Sequence, residues 1–354
     1  MLAADSKVVS APGRGALQSE AAVSWKRISE PLEPFLETVN RRLAQEVEAF
    51  DPAISPYANY ALNGQGKHLR PVLVALTANA LGPVTEAHVK AAVIIEMVHL
   101  ATLVHDDVMD EAQIRRGQLT LAANWGNEIA VLFGDCLFAR ALSQAASFPT
   151  PEVCRSVALA TNTVCSGEIL QTQHRNDFQL SREKYFKVLE MKTAELFALS
   201  CDLSAFLSTA STPQRNALRR FGLAFGTAYQ IYDDCVDLFG SESSAGKSLG
   251  TDLAKGKLTL PILLAWERAG DADRERLQGL VQGWQAGCMK RMAKLLAKYD
   301  TLAASLDILQ EYLKRSRQAL DTLPASSGLT GLLGLTDFLA NQTDSLGALP
   351  EVSL

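Results

Sequence analysis

The stretch TEAHVKAAVIIEMVHLATLVHDDVMD, Thr85 to Asp110, decides the fold. Its apolar residues recur at helical spacing throughout, and Thr85 stands where an N-cap belongs, so the pattern predicts one long helix. The last turns of that helix carry Asp106, Asp107 and Asp110, and the segment Glu111–Gln118 that follows holds Arg115, Arg116 and Gly117. Acids at a helix C-terminus oppose the helix dipole. Flanking Leu103, Val104 and Val108 imply that this end is packed rather than solvated, so the cost needs a reason.

The pattern returns in YQIYDDCVDLFG, Tyr229 to Gly240, with Asp233, Asp234 and Asp237, and opens into GSESSAGKSLGTDLAKGK, residues 240–257. Residues four apart share a helical face about 6 Å apart along the axis, which pairs Asp106 with Asp110 and Asp233 with Asp237. Carboxylates so spaced suit Mg²⁺, a hard cation that takes oxygen ligands and keeps waters and substrate phosphates in its shell. One D-D-x-x-D is a short motif that also occurs as a solvated helix end. Two copies, each ending a helix before a flexible basic loop, are much harder to explain that way.

Working outward, helical periodicity dominates and no alternating strand pattern persists. Further helices are expected near 32–50, 69–81, 120–147, 151–173, 181–209, 213–239, 260–268, 273–297 and 301–322. Pro31, Pro151, Pro213 and Pro261 fall at or just before helix starts. No composition shift divides the chain, so the expectation is an all-α protein: a disordered tail over residues 1–25 and one helical domain over 26–354.

The bulk numbers exclude several classes. A net charge of −5 gives no general pull on polyanions, so nucleic acid is not an expected partner. Six scattered cysteines without a C-x-x-C pair fit a reducing cytoplasm better than a disulfide scaffold or a zinc ribbon. No apolar run reaches the roughly 18 residues a bilayer span requires. The N-terminal MLAADSKVVSAPGRGALQSE lacks the apolar core of a secretory signal and passes only loosely for a transit peptide.

The long helix carries a stripe from Val89 through Ala92, Glu96, His99, Leu103 and Asp106 to Asp110. His99 thus lies on the aspartate face, about 10 Å down the axis, either as a satisfied core residue or as part of a site. Glu96 and His99 also form E-x-x-H, the signature of a carboxylate-bridged di-iron bundle, but such a site needs a second E-x-x-H. His68, His88, His105 and His174 all lack the preceding Glu. The second acidic helix has its own stripe, Gly222, Gly226, Gln230, Asp233 and Asp237, whose glycines permit close approach of a ligand or of another helix.

Cations are supplied locally. GQGKHLRP, Gly64 to Pro71, places Lys67 and Arg70 at a helix start, a setting suited to a diphosphate although common as solvated charge. Arg115, Arg116, Lys192, Lys247 and Lys257 add to it. The combined inference is that Mg²⁺, gathered by two acidic clusters, holds one diphosphate while basic residues hold a second.

GKHLRP, VHDDVMDEAQIRRG, Gly134–Asp135, GEILQ at 167–171, Lys192–Thr193, YQIYDDCVD and DLAKGKLTLP at 252–261 together resemble the trans-polyprenyl diphosphate synthases, in that family's order, across roughly residues 60–265. The resemblance implies helices around a deep central cavity, a homodimer, and condensation of isopentenyl diphosphate with an allylic prenyl diphosphate. It assigns Lys67, Arg70, His99 and Arg116 to isopentenyl diphosphate. It assigns Asp106, Asp107, Asp110, Asp233 and Asp237 to three Mg²⁺ ions, and Arg115, Lys192, Thr193, Gln230, Lys247 and Lys257 to the allylic diphosphate. Asp234 belongs to the second motif as a catalytic candidate. Gln65 and His68 depart from the family pattern without removing a required charge.

In that family, bulky aromatics four and five residues before the first aspartate shorten the product. Here those positions are Thr102 and Ala101, so a product longer than C20, in the C30–C50 quinone side-chain range, is expected unless Phe133 or Phe138 supplies the floor. The competing readings are a short-chain synthase, a class I terpene cyclase, a non-catalytic synthase subunit and a helical protein that binds diphosphate without turnover. A second D-D-x-x-D and the GKHLRP segment speak against the cyclase, and two intact acidic motifs speak against the subunit. Peripheral contact with a membrane for product release is a further expectation.

Overall fold

In the computed structural model, described over residues 25–62, 66–241 and 249–347, the chain is a bundle of helices built around the long helix singled out by its sequence. That helix, α4 (Glu86–Met109), follows α1 (Glu33–Glu48), α2 (Ser55–Leu62) and α3 (Leu69–Leu81). Thr85 is its extended N-cap, as expected, and its amide donates to His88 Nδ1 at 3.0 Å in a capping box. From Ala91 to Val98 almost every side chain is buried, because α1, α3, α6 (Asn127–Ala146) and α9 (Glu195–Leu207) all pack on α4.

The remaining elements are α5 (Leu121–Trp125), α7 (Pro151–Gln173), α8 (Arg182–Leu189), α10 (Thr212–Phe239), α11 (Thr251–Ala254) and α12 (Leu260–Arg268). They are followed by α13 (Asp271–Gln282), α14 (Met289–Lys298), α15 (Thr301–Ala319) and α16 (Ser327–Thr343). Between α8 and α9 the helix does not stop but widens into a π-turn over Glu190–Ala194. Single π-turns inside helices recur at functional sites because they re-aim the side chains they carry; this one carries Lys192 and Thr193.

Strand structure among the described residues is a two-residue hairpin, Ile114–Arg115 against Gln118–Leu119, antiparallel with Arg115 opposite Gln118. Its central residues, Arg116 and Gly117, both have positive φ, 51° and 77°, as a type I′ turn demands. The hairpin turns the end of α4 back on itself, so that the two adjacent arginines face different partners.

Several element boundaries differ from those read in the sequence. The helix expected over 120–147 breaks at Gly126, φ 90°, and that over 273–297 breaks at Gly283–Gly287. α2 and α16 were not anticipated. α16, SGLTGLLGLTDFLANQT, has poor intrinsic propensity, but a Cβ on Gly328 would sit 2.2 Å from the Ala80 amide nitrogen of α3, so its glycines permit backbone contact that compensates. The tail expected over 1–25 falls outside the described residues except Trp25, which packs on Phe338 of α16 with ring centroids 5.4 Å apart.

Against the sequence expectation, α4 and α6 are both long and apolar enough to cross a bilayer by length and composition. α4 is the central core helix. α6 lies along it and leaves Val131 and Leu132 exposed on its outer side.

Candidate active site

The C-terminal turns of α4 present the three aspartates, and each is met by a cation from a different part of the chain. Asp106 Oδ2 lies 3.6 Å from Lys192 Nζ on the π-turn. Asp107 accepts from Arg115, brought back by the hairpin, at 2.8 Å. Asp110 accepts from Arg175 at 2.9 Å and from Lys257, in the loop after the second acidic helix, at 2.6 Å. These cations offset the unfavourable end of the α4 dipole.

The offset is uneven. Burial drives the Asp106 carboxyl up to about 6 despite Lys192, with Glu168 adding to the rise. Burial likewise raises Asp107 against the pull of Arg115. At Asp110 burial also acts upward, but Lys257, Lys192 and Arg175 together hold the group below the ordinary carboxylate range. Two of the three carboxylates therefore sit where added positive charge would be stabilising.

Lys192 connects this cluster to α7, pairing with Glu168 and donating to Gln171 Oε1 at 2.9 Å. The approach depends on Gly167, where a Cβ would lie 2.7 Å from the Lys192 amide nitrogen. Thr193 turns the other way and donates to Gln230 Oε1 at 3.0 Å, while Gln230 Nε2 donates to Asp234 at 2.9 Å. Adjacent residues of one π-turn thus reach both acidic helices.

The second cluster divides by role. Asp234 is buried and accepts from Tyr185 Oη at 2.5 Å as well as from Gln230; burial, reinforced by Asp252, pushes its carboxyl well up. Asp237 is fully buried, and its oxygens accept from the Thr251 hydroxyl at 2.9 Å and from the Thr251 and Asp252 amides at 3.2 Å. These bonds tie Asp237, one of the carboxylates expected among the metal ligands, to the head of α11. Asp233 is the half-buried acid of the three. Among the described residues no three acidic, histidine or cysteine side chains converge on one point.

A second, basic cluster lies lower on α4. Arg70 stacks over the Phe197 ring at 4.9 Å, and its buried Nε has no partner. Arg116 lies over Gly66, whose Cβ, if present, would be 2.9 Å from the guanidinium. Burial first, then Arg70, Arg116, Arg115 and His68, press His99 well below its ordinary value, so it is neutral here. Glu96 pairs with His68 at 3.5 Å and faces the charges of Arg70 and Arg116. Lys67 is turned aside: its ammonium lies 4.9 Å from the Phe338 ring and 5.9 Å from Trp25. An orphaned guanidinium donor beside a second guanidinium is what an anionic ligand would satisfy.

Lys247 lies outside the described residues. Ala101 is fully buried in the cluster of Val47, Ala58, Val104 and Phe133, whereas Thr102 is half-buried on the Asp106 side, its hydroxyl donating to the His99 carbonyl at 2.7 Å. The pair thus separates, with Ala101 on a packed face. Phe133 packs edge-on with Phe50, ring centroids 6.4 Å apart, while Phe138 stays half-buried against the His105 ring. The glycines of α10 serve helix packing: a Cβ on Gly222 would meet the Phe197 carbonyl at 2.6 Å, and one on Gly226 the Ala194 Cα at 2.8 Å.

Sequence reading missed Arg175, Tyr185 and the roles of Glu168 and Gln171. The i,i+3 spacing of Glu168 and Gln171 on one face of α7 was an available signal; Arg175 and Tyr185 carry none. Gly134 of the Gly-Asp pair also gains a reason, since a Cβ there would lie 2.2 Å from His105 Nε2, which donates to the Val131 carbonyl at 3.0 Å.

An all-helical fold with two acid-tipped helices tied through one π-turn, and a basic cluster beside them, defines a class of proteins that handle diphosphates. Residues 51–299 match the model of the polyprenyl synthetase family. The octaprenyl diphosphate synthase of Haemophilus influenzae is 30% identical, covering 90% of this chain and 97% of that one. The nonaprenyl diphosphate synthase of Mycobacterium tuberculosis is 35% identical over 86% and 91%. A crystal structure of a Caulobacter crescentus polyprenyl synthase, complexed with calcium and isoprenyl diphosphate, superposes with a TM-score of 0.85 at 32% identity, covering 90% of this chain and 97% of that one. The chain belongs to the polyprenyl synthetase family and is a prenyltransferase of that family's kind.

Proposed function

We propose that the protein condenses isopentenyl diphosphate with an allylic prenyl diphosphate and returns a longer all-trans polyprenyl diphosphate. The observation that carries this reading is the pair of cation sets along one helix. Lys192, Lys257 and Arg115 stand among the aspartates, and Arg70 and Arg116 stand beside His99, about 10 Å down α4. Two diphosphates bound there would have their reacting carbons between the two sets.

Asp106, Asp107 and Asp110 from one helix and Asp233 with Asp237 from the other would hold magnesium, three ions by family resemblance. The raised Asp106 carboxyl and the oxygen-only donor set both fit a hard divalent cation. Bound there, magnesium would neutralise the allylic diphosphate and weaken its bond to carbon. Lys192, Lys257, Arg115 and Thr193 would hold the departing diphosphate, and Lys247 would join them from the loop. Arg70, Arg116 and His99, with Lys67 swung from its aromatic seat, would fix isopentenyl diphosphate so that its double bond faces the allylic carbon.

In the reaction the allylic C–O bond breaks, and the resulting cation is captured by the π electrons of isopentenyl diphosphate, forming a C–C bond. The new cation then loses a proton from the adjacent carbon, accepted by the released diphosphate. No nucleophilic side chain is required.

The growing tail would follow α4 toward its N-terminus past Thr102, with Phe138 the half-buried aromatic on its way. Small Thr102, together with the octaprenyl and nonaprenyl diphosphate synthases among the relatives, favours a product beyond C20, in the C30–C50 range. Exposed Val131 and Leu132 on α6, with Leu159 and Ile169 on adjacent α7, favour a homodimer through that face. Six free thiols suit the cytoplasm.

Incubating the purified protein with Mg²⁺, isopentenyl diphosphate and farnesyl diphosphate, then sizing the products, tests the reading. All-trans products of increasing length, abolished by a chelator, are expected. Hydrocarbon products would indicate a cyclase, and Mg²⁺-dependent binding without turnover would reduce the protein to a diphosphate carrier.

A further inference from the structure

On α13 and α14 lies a groove of about 730 Å³ that the condensation does not use. Leu280, Leu295 and Cys288 give it an apolar lining, and Gly279 and Gly283 leave one wall as bare backbone. Its rim is Arg276, Arg291, Lys294 and Lys298, all exposed. The single acid on that rim, Asp273, is already engaged by Lys298, Tyr299 Oη at 2.7 Å and Arg276 at 3.0 Å. Residues 271–298 hold six Lys and Arg against three Asp and Glu, a local excess of +3 in a chain whose net charge is −5.

α14, MKRMAKLLAK, is sharply two-faced. It buries Met292 and Leu296 while Lys290, Arg291 and Lys294 stand outward beside half-buried Leu295. A cationic helix face bordering an apolar slot complements an anionic lipid surface, with headgroups on the cations and the lipid edge against the slot. Position adds to the charge. Val281, Gln282 and Trp284, from the same end of α13, line a second cavity of about 430 Å³ that reaches Asp110 and Arg175. One helix end therefore borders both the basic groove and the edge of the aspartate cluster.

We propose that the α13–α14 corner docks on the surface of a bilayer rich in anionic phospholipid, holding the aspartate end of the molecule near the membrane that receives its product. The part that concerns product transfer rests on the synthase reading; the docking itself does not.

The test uses the full chain without substrate, co-sedimented with phosphatidylcholine vesicles and with vesicles in which about a third of that lipid is phosphatidylglycerol. Binding to the anionic vesicles, weakening as salt is added, is expected. At roughly fivefold in partition per cation near an anionic leaflet, K290A/R291A/K294A should bind about a hundredfold less. K184A/K187A, which removes exposed charge from α8, should bind as the parent does. If the triple variant fails to fold, K294Q alone, expected at about fivefold, carries the test. Equal binding to both vesicle types, or unchanged binding by the variants, would overturn the proposal. So would loss of self-association in place of lipid binding, which would assign the corner to a second copy of the chain. Because no substrate is present, a failed turnover assay cannot be mistaken for any of these results.

Discussion

Replacing Asp106 with asparagine should stabilise the metal-free protein while abolishing turnover. Burial raises the Asp106 carboxyl from 3.8 to about 6, and that figure already includes the attraction of Lys192. The folded state therefore holds a proton that the unfolded chain has released between these values, so stability falls as pH rises through the window. Above it the full cost is present: about 2 units at about 1.36 kcal/mol each, or on the order of 3 kcal/mol. Asparagine has nearly the same shape and does not titrate, and Lys192 keeps Glu168 and Gln171 as partners.

Urea unfolding of both proteins in a chelator, at pH 4 and pH 8, measures the effect. The variant should be the more stable at pH 8 by up to about 3 kcal/mol, with the gap nearly closed at pH 4. Magnesium with inorganic diphosphate should then stabilise the parent and leave the variant unmoved, because only the parent binds them tightly. A variant less stable than the parent by the same margin at both pH values would refute the reasoning, showing that Asp106 is held by local bonds and carries no ionisation cost.

Three other substitutions probe different parts of the site. G167A places a Cβ 2.7 Å from the Lys192 amide nitrogen; thermal unfolding should show a loss of roughly 1–3 kcal/mol, and kcat should fall as Lys192 shifts. R116A should raise the KM for isopentenyl diphosphate while leaving that for the allylic substrate nearly unchanged, because Arg116 lies over Gly66 in the basic cluster, away from the aspartates; equal rises in both would remove it from that subsite. T102F should shorten the product, read by chromatography, with little loss of stability, whereas A101F should destabilise by roughly 1–3 kcal/mol because its site is already packed; a stable A101F with shortened product would return Ala101 to the tunnel wall.

The parts of this molecule that were legible in the sequence are those whose signal is periodic or repeated. α4 could be read from end to end because apolar spacing and an N-cap agree over 24 residues, and the twin acidic motifs were legible because each repeats the context of the other. The π-turn was not, since Leu189 to Glu195 reads as ordinary helix; widening by one residue leaves no mark on an apolar pattern already dense on both sides. The split of Asp233, Asp234 and Asp237 into three environments was hidden for a different reason. Spacing fixes which face of α10 each occupies, but Tyr185 and Thr251, which decide their partners, come from segments remote in sequence.

The same distinction explains how an acidic helix end can be tolerated at all. Lys192, Arg115, Arg175 and Lys257 approach the α4 terminus from the π-turn, the hairpin, the end of α7 and the loop after α11, so its charge is balanced only once the whole chain is folded. The balance at Asp106 is incomplete even then, and the shortfall is an affinity for added positive charge at the place where a diphosphate would need it. The deficit that makes the fold locally unfavourable and the capacity to gather a metal are one property of the same half-buried carboxylate, which is why a substitution that relieves the first should remove the second.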